Sequence, residues 1–190
     1  MEPVKEKTRR KSVRILALCS VFVALYIIGA YIRIPFPIVP MTLQTLFVLT
    51  AAMLLGPLPA AGSVAVYLML GLSGIPVFTS GGGIFYIFSP TFGYLLGFIP
   101  AALVTGWLSG TSRETRFLRY WLSGLAGIIV IYSFGIAYLF LLSASGRSTA
   151  PDTAKIFSLG FMITAAGDVL KTAAAAVSTV KLKRSMTSFH

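Results

Sequence analysis

The segment from Ile156 to Val180 reads IFSLGFMITAAGDVLKTAAAAVSTV and is long enough to cross a bilayer as an α-helix. Asp168 and Lys171 are its only charged side chains, and their spacing places both on one face of that helix. An ionisable group inside a membrane is costly, so it usually faces a partner, a cavity or a substrate. The pair is therefore the first candidate for a binding site. The alternative is an intramembrane ion pair that only holds helices together.

The composition of the whole chain indicates an integral membrane protein. Hydrophobic residues make up 56% of the 190 residues, charged residues only 11%, and the mean hydropathy is +0.87. Such a chain has too few polar groups to cover a soluble globule of this size. The single cysteine, Cys19, lies in an apolar run, so we expect neither a disulfide nor a cysteine-based metal site, and no cofactor.

The hydropathy pattern predicts an all-α bundle of six transmembrane helices. The run from Leu43 to Leu72 would form a helix of about 45 Å, longer than a bilayer core requires, so the turn signal Gly56-Pro57-Leu58-Pro59 is expected to divide it in two. We predict a basic cytoplasmic tail at 1–14, a single six-helix transmembrane domain at 15–180 and a cytoplasmic tail at 181–190. The predicted helices occupy Ile15–Ile32, the two halves of Leu43–Leu72, Pro90–Leu108, Phe117–Leu142 and Ile156–Val180, with a glycine-rich external loop, Ser73–Ser89, between the third and the fourth.

The placement of charge predicts the topology. Twelve of the 16 basic residues lie in three blocks that flank apolar runs, as the positive-inside rule requires of cytoplasmic segments. Both termini are therefore expected in the cytoplasm, and the proline-rich segment before Leu43, the glycine-rich loop and residues 143–155 at the external face. Because the charge is arranged in this way, the net value of +11 does not indicate a nucleic-acid partner. The blocks contain Lys5, Lys7, Arg9, Arg10, Lys11 and Arg14; Arg113, Arg116 and Arg119; and Lys181, Lys183 and Arg184.

The glycine-rich loop has the composition of a pocket cover. Gly81, Gly82 and Gly83 permit backbone angles and close approaches that side chains forbid, and the neighbouring aromatic residues offer apolar walls. The lysine and hydroxyl that end a Walker motif are absent, so this is not a phosphate-binding loop. For Gly93 and Gly97, four residues apart on the next helix, we expect tight helix packing.

Three segments together resemble a known family. They are Ile34-Pro-Phe-Pro-Ile-Val-Pro-Met-Thr-Leu-Gln-Thr-Leu46, Ser89-Pro-Thr-Phe-Gly-Tyr-Leu-Leu-Gly-Phe98 and Ala166-Gly-Asp-Val-Leu-Lys171. Their order and spacing resemble BioY, the biotin-specific S component of energy-coupling-factor (ECF) transporters, over nearly the whole chain. The resemblance implies a prokaryotic vitamin-uptake protein of the cell membrane, with six helices and biotin bound near the external face. It also implies two kinds of partner, a transmembrane coupling protein and two ATPase subunits.

Biotin suits the charged pair. Its cyclic urea carries two donors and one acceptor, and its tail ends in a carboxylate. Asp168 can accept from the urea nitrogens, and Lys171 can donate either to the urea oxygen or to the carboxylate. We expect the two side chains to pair with each other in the empty site and to separate for the ligand.

Further substrate-binding candidates lie in the segments that carry the resemblance. Gln44 and Thr91 are polar groups near apolar helix ends, where a hydrogen bond to the ligand and one to the protein are equally credible. Tyr86 and Tyr94 could instead belong to an interfacial aromatic belt. Phe92 stands where the family commonly has a small residue, so the pocket or the loop packing beside it is expected to differ. The full set of additional candidates is Thr42, Gln44, Gly82, Gly83, Tyr86, Thr91 and Tyr94.

The first helix carries a candidate docking surface. Ser20 and Ala24 form a small-xxx-small pair, which permits close approach of another helix. The resemblance implies that this pair docks the coupling protein, and packing within the molecule is the alternative. We expect no enzymatic activity, since there is no Walker motif and no nucleophile paired with a histidine. A self-sufficient, proton-coupled secondary transporter of a small polar solute is the rival function, because one intramembrane carboxylate can couple to protons.

Overall fold

A computed structural model describes residues 2–35, 40–110, 116–145 and 159–187 of the chain. The described residues form six α-helices, which agrees with the predicted all-α class apart from one very short strand pair. A 3₁₀-helix lies at Ile84–Phe88. The α-helices are α1 (Glu2–Tyr31), α2 (Gln44–Leu55), α3 (Pro57–Leu72), α4 (Phe92–Ser109), α5 (Phe117–Ala144) and α6 (Leu159–Thr187).

Three segments of the described helices are long and apolar enough to cross a membrane: Ser12–Tyr31, Phe92–Ser109 and Phe117–Ala144. The helices α2 and α3 are apolar but shorter, with 12 and 16 residues. The number of helices thus agrees with the sequence analysis, whereas the crossing of the membrane by all six stays a prediction.

Two helices extend beyond their predicted bounds. α1 begins at Glu2, although 1–14 was predicted as a tail, and α6 continues to Thr187, beyond the predicted end at Val180. The reason is physical: lysine, arginine and glutamate are good helix formers, so a loss of hydropathy ends a membrane span without ending a helix.

The predicted division of the second apolar run is confirmed. Gly56 separates α2 from α3 and has a φ of 86°, which lies in the region that favours glycine. Pro57 opens α3 at a position where the missing N–H costs nothing. The backbone of Pro57 lies against Gly106 of α4, where a Cβ atom would clash, so the turn is packed tightly onto the next helix.

The proline-rich segment forms a strand pair that the sequence analysis did not predict. Strand β1 (Arg33–Ile34) pairs with β2 (Met41–Thr42) in antiparallel register. Proline fixes its own φ and biases the residue before it towards extended conformations, which suits such a short hairpin. The residues 36–39 between the strands lie outside the described part of the chain.

The most extensive helix packing joins α4 to α5. A Cβ atom at Gly93 would clash with the side chain of Tyr138, and one at Gly97 would crowd Ile131 and Phe134 of α5. The predicted packing role of these two glycines is therefore confirmed. α6 packs against α2 and α5, and α1 packs against α2 and α3.

The irregular segments meet at one end of the bundle. The hydroxyl of Tyr31 donates to the carbonyl of Pro76, and Arg33 donates to the carbonyl of Thr79 at 2.5 Å. On the other side of the same loop, the hydroxyl of Tyr138 donates to the carbonyl of Ile87. The hairpin and the glycine-rich loop thus lie together at this end of the helix bundle. The assignment of this end to the external face stays a prediction, and most of 143–155 lies outside the described residues.

Candidate substrate site

The charged pair lies on the face of α6 that points into the bundle. Asp168 is buried, as are Thr164 and Thr172 one turn before and after it. Leu170, on the other side of the helix, is 72% exposed. A spacing of four residues keeps the buried positions on one stripe, so the helix directs Asp168 away from the lipid-facing surface.

Asp168 and Lys171 form an ion pair, as expected for the free state. The Oδ1 atom of Asp168 lies 2.5 Å from Nζ of Lys171, and their side chains are only 7% and 12% exposed. Oδ1 nevertheless accepts no well-aligned hydrogen bond from the described residues. The carboxylate therefore retains acceptor capacity on this oxygen, because an ionised carboxylate offers about four lone-pair sites.

Tyr132 of α5 completes the charged centre, and the sequence analysis missed it. Its hydroxyl donates to Oδ2 of Asp168 at 2.7 Å. Its ring contacts that of Tyr94 edge to face, with the centroids 5.7 Å apart. A Cβ atom at Gly135 would clash with the Tyr94 ring, so this glycine lets the ring pack against α5. Tyr94 is half-buried, and its ring lies beside the charged centre through its contact with Tyr132.

Lys171 connects the centre to the hairpin. Its ammonium group donates to the backbone carbonyl of Thr42 at 2.7 Å. The neighbouring Met41 packs on α6 as well, because its sulfur lies so close to Gly167 that a Cβ atom there would clash with it. Strand β2 therefore covers the ion pair from above. The contribution of Thr42 to the ammonium comes from its main chain.

A second polar network, which we call the loop network, runs from β2 into the glycine-rich loop. The side-chain amide of Gln44 donates to the hydroxyl of Tyr67 at 2.6 Å, and this hydroxyl donates to the carbonyl of Val77 at 3.0 Å. The hydroxyl of Thr42 donates to the amide oxygen of Gln44 at 3.4 Å. Thr42 thus belongs to both networks. Tyr67 is fully buried and was not among the predicted site residues.

The loop network continues through hydroxyl groups. The hydroxyl of Tyr86 lies 2.9 Å from that of Thr79 and 2.9 Å from that of Thr91. Ser89 lies 2.8 Å from Thr91 in turn. Tyr86 is only 7% exposed, so it lies in the interior, and the centroid of its ring is 4.6 Å from that of Phe78. These hydroxyls have protein partners, which was one of the two alternatives for Thr91.

Gly82 and Gly83 hold the loop against its own base. The amide of Gly83 donates to the carbonyl of Gly71 at 2.7 Å, and its φ of 103° favours glycine. A Cβ atom at Gly82 would collide with the carbonyl group of Ile75. The described contacts of both glycines are with the loop itself and with Gly71 at the end of α3.

Phe92, where the resemblance led us to expect a difference in the pocket or the loop packing, is buried. Its ring contacts that of Tyr138 edge to face at 5.9 Å. Its side chain is therefore part of the packing between α4 and α5, beside the loop.

Ser20 and Ala24 are both exposed on the outer face of α1. Ser20 satisfies its hydroxyl by donating to the carbonyl of Leu16 at 3.1 Å. Leu16 and Ile28 continue the same stripe and are 66% and 50% exposed. The described structure thus leaves the small-residue pair available for contact with another helix.

The sequence is similar to a known family over nearly its whole length. The sequence profile of the BioY family matches residues 4–188. The chain belongs to the BioY family. Relatives include a "Probable biotin transporter BioY" of Lysinibacillus sphaericus, 36% identical over 92% of this chain and 89% of that protein, and a "Biotin transporter BioY" of Thermotoga maritima, 38% identical over 90% and 96%.

A solved structure supports the same fold. It is the crystal structure of an S component for biotin from an ECF-type ABC transporter, with a TM-score of 0.75, 24% identity, and coverage of 92% of this chain and 93% of that one. BioY relatives occur in bacteria and in archaea such as Pyrococcus horikoshii. The BioY family is a family of prokaryotic membrane transporters, not of enzymes.

Proposed function

We propose that this chain is the substrate-binding membrane subunit of a biotin uptake transporter. The observation that carries the proposal is the buried Asp168–Lys171 pair, which is held by Tyr132 on one side and by the Thr42 carbonyl on the other. Membership of the BioY family supports biotin as the substrate.

The charged centre matches the ureido ring of biotin group by group. The carboxylate of Asp168 accepts from the two ring N–H groups, and Tyr132 keeps it oriented through Oδ2. The ammonium of Lys171 carries three N–H donors, so it can keep its bond to Thr42 and still donate to the urea oxygen or to the ligand's carboxylate. These interactions take place in a low-dielectric interior, where charged hydrogen bonds are stronger than in water.

The other predicted residues divide into two roles. Tyr94 forms a wall behind Tyr132. Thr42, Gln44, Tyr86 and Thr91 hold β2 and the loop in the shape that covers the centre. Gly82 and Gly83 allow the loop to fold back on itself.

Calorimetric titration of the purified full chain tests the substrate. We expect tight binding of biotin and no measurable binding of thiamine or riboflavin, because neither vitamin offers a cyclic urea with two N–H donors. Desthiobiotin, which keeps the urea but lacks the thioether ring, is expected to bind more weakly than biotin. Equal binding of all these compounds, or of none, contradicts the proposal.

We also propose that biotin enters from the external face and that an ECF module supplies the energy. In this arrangement both termini lie in the cytoplasm, and a coupling protein with two ATPase subunits docks on the outer face of α1. The exposure of Ser20 and Ala24 supports the docking surface, since small residues allow a partner helix to approach closely.

The chain offers a matched control for this docking surface. Ser133 and Ala137 of α5 form the same exposed small-residue pair, and Ser133 donates to the carbonyl of Ile129 as Ser20 does to that of Leu16. We expect Ser20→Trp with Ala24→Trp to abolish co-purification with the ECF module while biotin binding persists. Ser133→Trp with Ala137→Trp should leave the complex intact, and the reverse pattern contradicts the assignment.

Uptake measurements separate this function from a proton-coupled secondary transporter. Cells that express the chain with an ECF module are expected to accumulate labelled biotin until ATP is depleted, with little effect of an uncoupler while ATP is maintained. Accumulation that an uncoupler abolishes at constant ATP would indicate the secondary transporter. The family relationship favours the ATP-dependent outcome.

A further inference from the structure

A cleft lies at the end of the bundle where α4 ends and α5 begins. It has a volume of about 470 Å³ and is lined by Leu108, Arg116, Leu118, Arg119, Leu122 and Ser123. This volume falls within the range of small-molecule sites, roughly 300–1,000 Å³. The cleft is separate from the charged centre: Ser123 and Tyr132 lie on the same helix, about nine residues or 13 Å apart along its axis.

We propose that this cleft binds the phosphate headgroup of an anionic phospholipid. The cationic part of the site is Arg119, supported by Arg116 one helical turn away. The apolar part consists of the leucines, along which the acyl chains would run.

Arg119 is held in place with most of its donors unused. Its Nε–H donates to the carbonyl of Leu108 at 3.1 Å, near the C-terminal end of α4, and its terminal nitrogens lie over Gly110. A guanidinium group has five N–H donors, and within the described part of the chain this is its one hydrogen bond, with no carboxylate in ion-pair contact. The two terminal nitrogens therefore remain available as a planar fork that suits bidentate contact with a phosphate.

The exposed leucines favour a lipid over a soluble anion as the ligand. Leu108, Leu118 and Leu122 are 52%, 59% and 53% exposed around the arginines. On a membrane protein such surface faces acyl chains, so an amphiphile satisfies both parts of the cleft at once. A free phosphate ion would use the arginines alone.

The charge of the region favours an anion. Between residues 110 and 119 the sequence has three arginines and one acid, Glu114, and the whole chain has only five acidic residues. Juxtamembrane basic clusters attract anionic lipids, with each nearby arginine contributing to the affinity. The positive-inside rule places this cluster at the cytoplasmic leaflet, which carries anionic headgroups.

Native mass spectrometry of the full chain, released from bilayers with equal amounts of phosphatidylglycerol and phosphatidylcholine, tests the proposal. We expect one retained phosphatidylglycerol per protein. Arg119→Gln should reduce this retention by about fivefold or more. Arg119→Lys, which keeps the charge and loses the fork, should fall between the two.

The matched control is Arg14→Gln, which removes an exposed arginine from α1 on the same predicted side. It should retain the lipid like the parent, and biotin titration of each variant verifies that the fold is intact. Equal retention of phosphatidylcholine, or unchanged retention in Arg119→Gln, overturns the proposal. So does an equal loss in Arg14→Gln, which would show general attraction to the basic end. If millimolar glycerol phosphate displaces phosphatidylglycerol equally well from the parent and from Leu118→Ser, the ligand is a soluble anion instead.

Discussion

The charged centre and the loop network are adjacent, yet their hydrogen bonding differs in kind. In the centre, Asp168 and Lys171 compensate each other's charge while retaining donors and an acceptor for further contacts. In the loop network, each hydroxyl from Tyr67 to Thr91 has a neutral partner within the protein. A pair with unused capacity is suited to exchange partners with a solute, whereas a satisfied network is suited to hold a shape. We therefore expect substitutions in the centre to weaken binding as well as stability, and those in the network to affect mainly stability.

The largest effect is expected for the charged pair. Asp168→Asn and Lys171→Met each remove a charged contact to biotin and should weaken binding by about 100-fold or more. Each also leaves its former partner buried and uncompensated, at a cost to stability of about 3–5 kcal/mol. Titration calorimetry and thermal unfolding measure the two effects.

The double variant and a control on the same helix complete this experiment. Asp168→Asn with Lys171→Met removes both charges, so it should regain much of the stability while binding stays lost. Lys181→Met alters an exposed lysine of α6 and should change neither quantity. Parent-like affinity in correctly inserted Asp168 and Lys171 variants would remove the basis of the proposed function.

The next effect is expected for Tyr132→Phe. The change removes one hydrogen bond to an ionised carboxylate, which contributes about 1.5–3 kcal/mol, so the affinity for biotin should fall by about tenfold or more. Tyr120→Phe is the control, because Tyr120 is a buried tyrosine of the same helix whose hydroxyl accepts from Lys183 instead. If the two variants bind biotin with the same affinity, the Tyr132 hydroxyl does not contribute to substrate binding.

Tyr67→Phe should act chiefly on stability. It leaves the amide of Gln44 and the carbonyl of Val77 without a buried partner, which costs about 1–3 kcal/mol. Tyr26→Phe should cost less, because the Ser63 hydroxyl that it leaves behind still donates to the carbonyl of Ala60. Melting temperatures should fall more for Tyr67→Phe, with biotin affinity changed by less than about threefold. The opposite order would mean that the loop network is not held through Tyr67.

The smallest effect is expected for Tyr86→Phe. After the change, Thr91 still has Ser89 as a partner, so the loss of stability should be within about 1 kcal/mol. If the hydroxyl only holds the loop, the affinity for biotin should stay within about twofold of the parent. A tenfold loss of affinity would mean that the Tyr86 hydroxyl contacts the substrate. The loop network would then take part in binding as the charged centre does.

Features marked by local composition could be predicted from the sequence. Asp168 and Lys171 stand out as charges in an apolar helix, and Gly56 with Pro57 breaks a run too long for one span. Gly93 and Gly97 are small residues at the spacing that brings helices close. In each case the physical cause lies within a few neighbouring residues.

Features that depend on the meeting of distant segments could not be predicted. Tyr132 and Asp168 are 36 residues apart, and nothing in the neighbourhood of Tyr132 distinguishes its hydroxyl from those of the other tyrosines of α5. In the same way, Tyr67 of α3 meets Gln44 of α2, 23 residues earlier in the chain. The pairing of β1 with β2 is too short to produce an alternating pattern, because each strand has only two residues.

The hydrogen bond from Lys171 to Thr42 does not depend on the side chain at residue 42. Its acceptor is a main-chain oxygen, which every amino acid supplies, so no replacement at residue 42 deletes it. An alanine scan would report only on the Thr42 hydroxyl and would pass over the anchoring of the ammonium. The hydrogen bond between α6 and the hairpin is therefore protected against mutation at residue 42, and among side-chain substitutions only a change at Lys171 removes it.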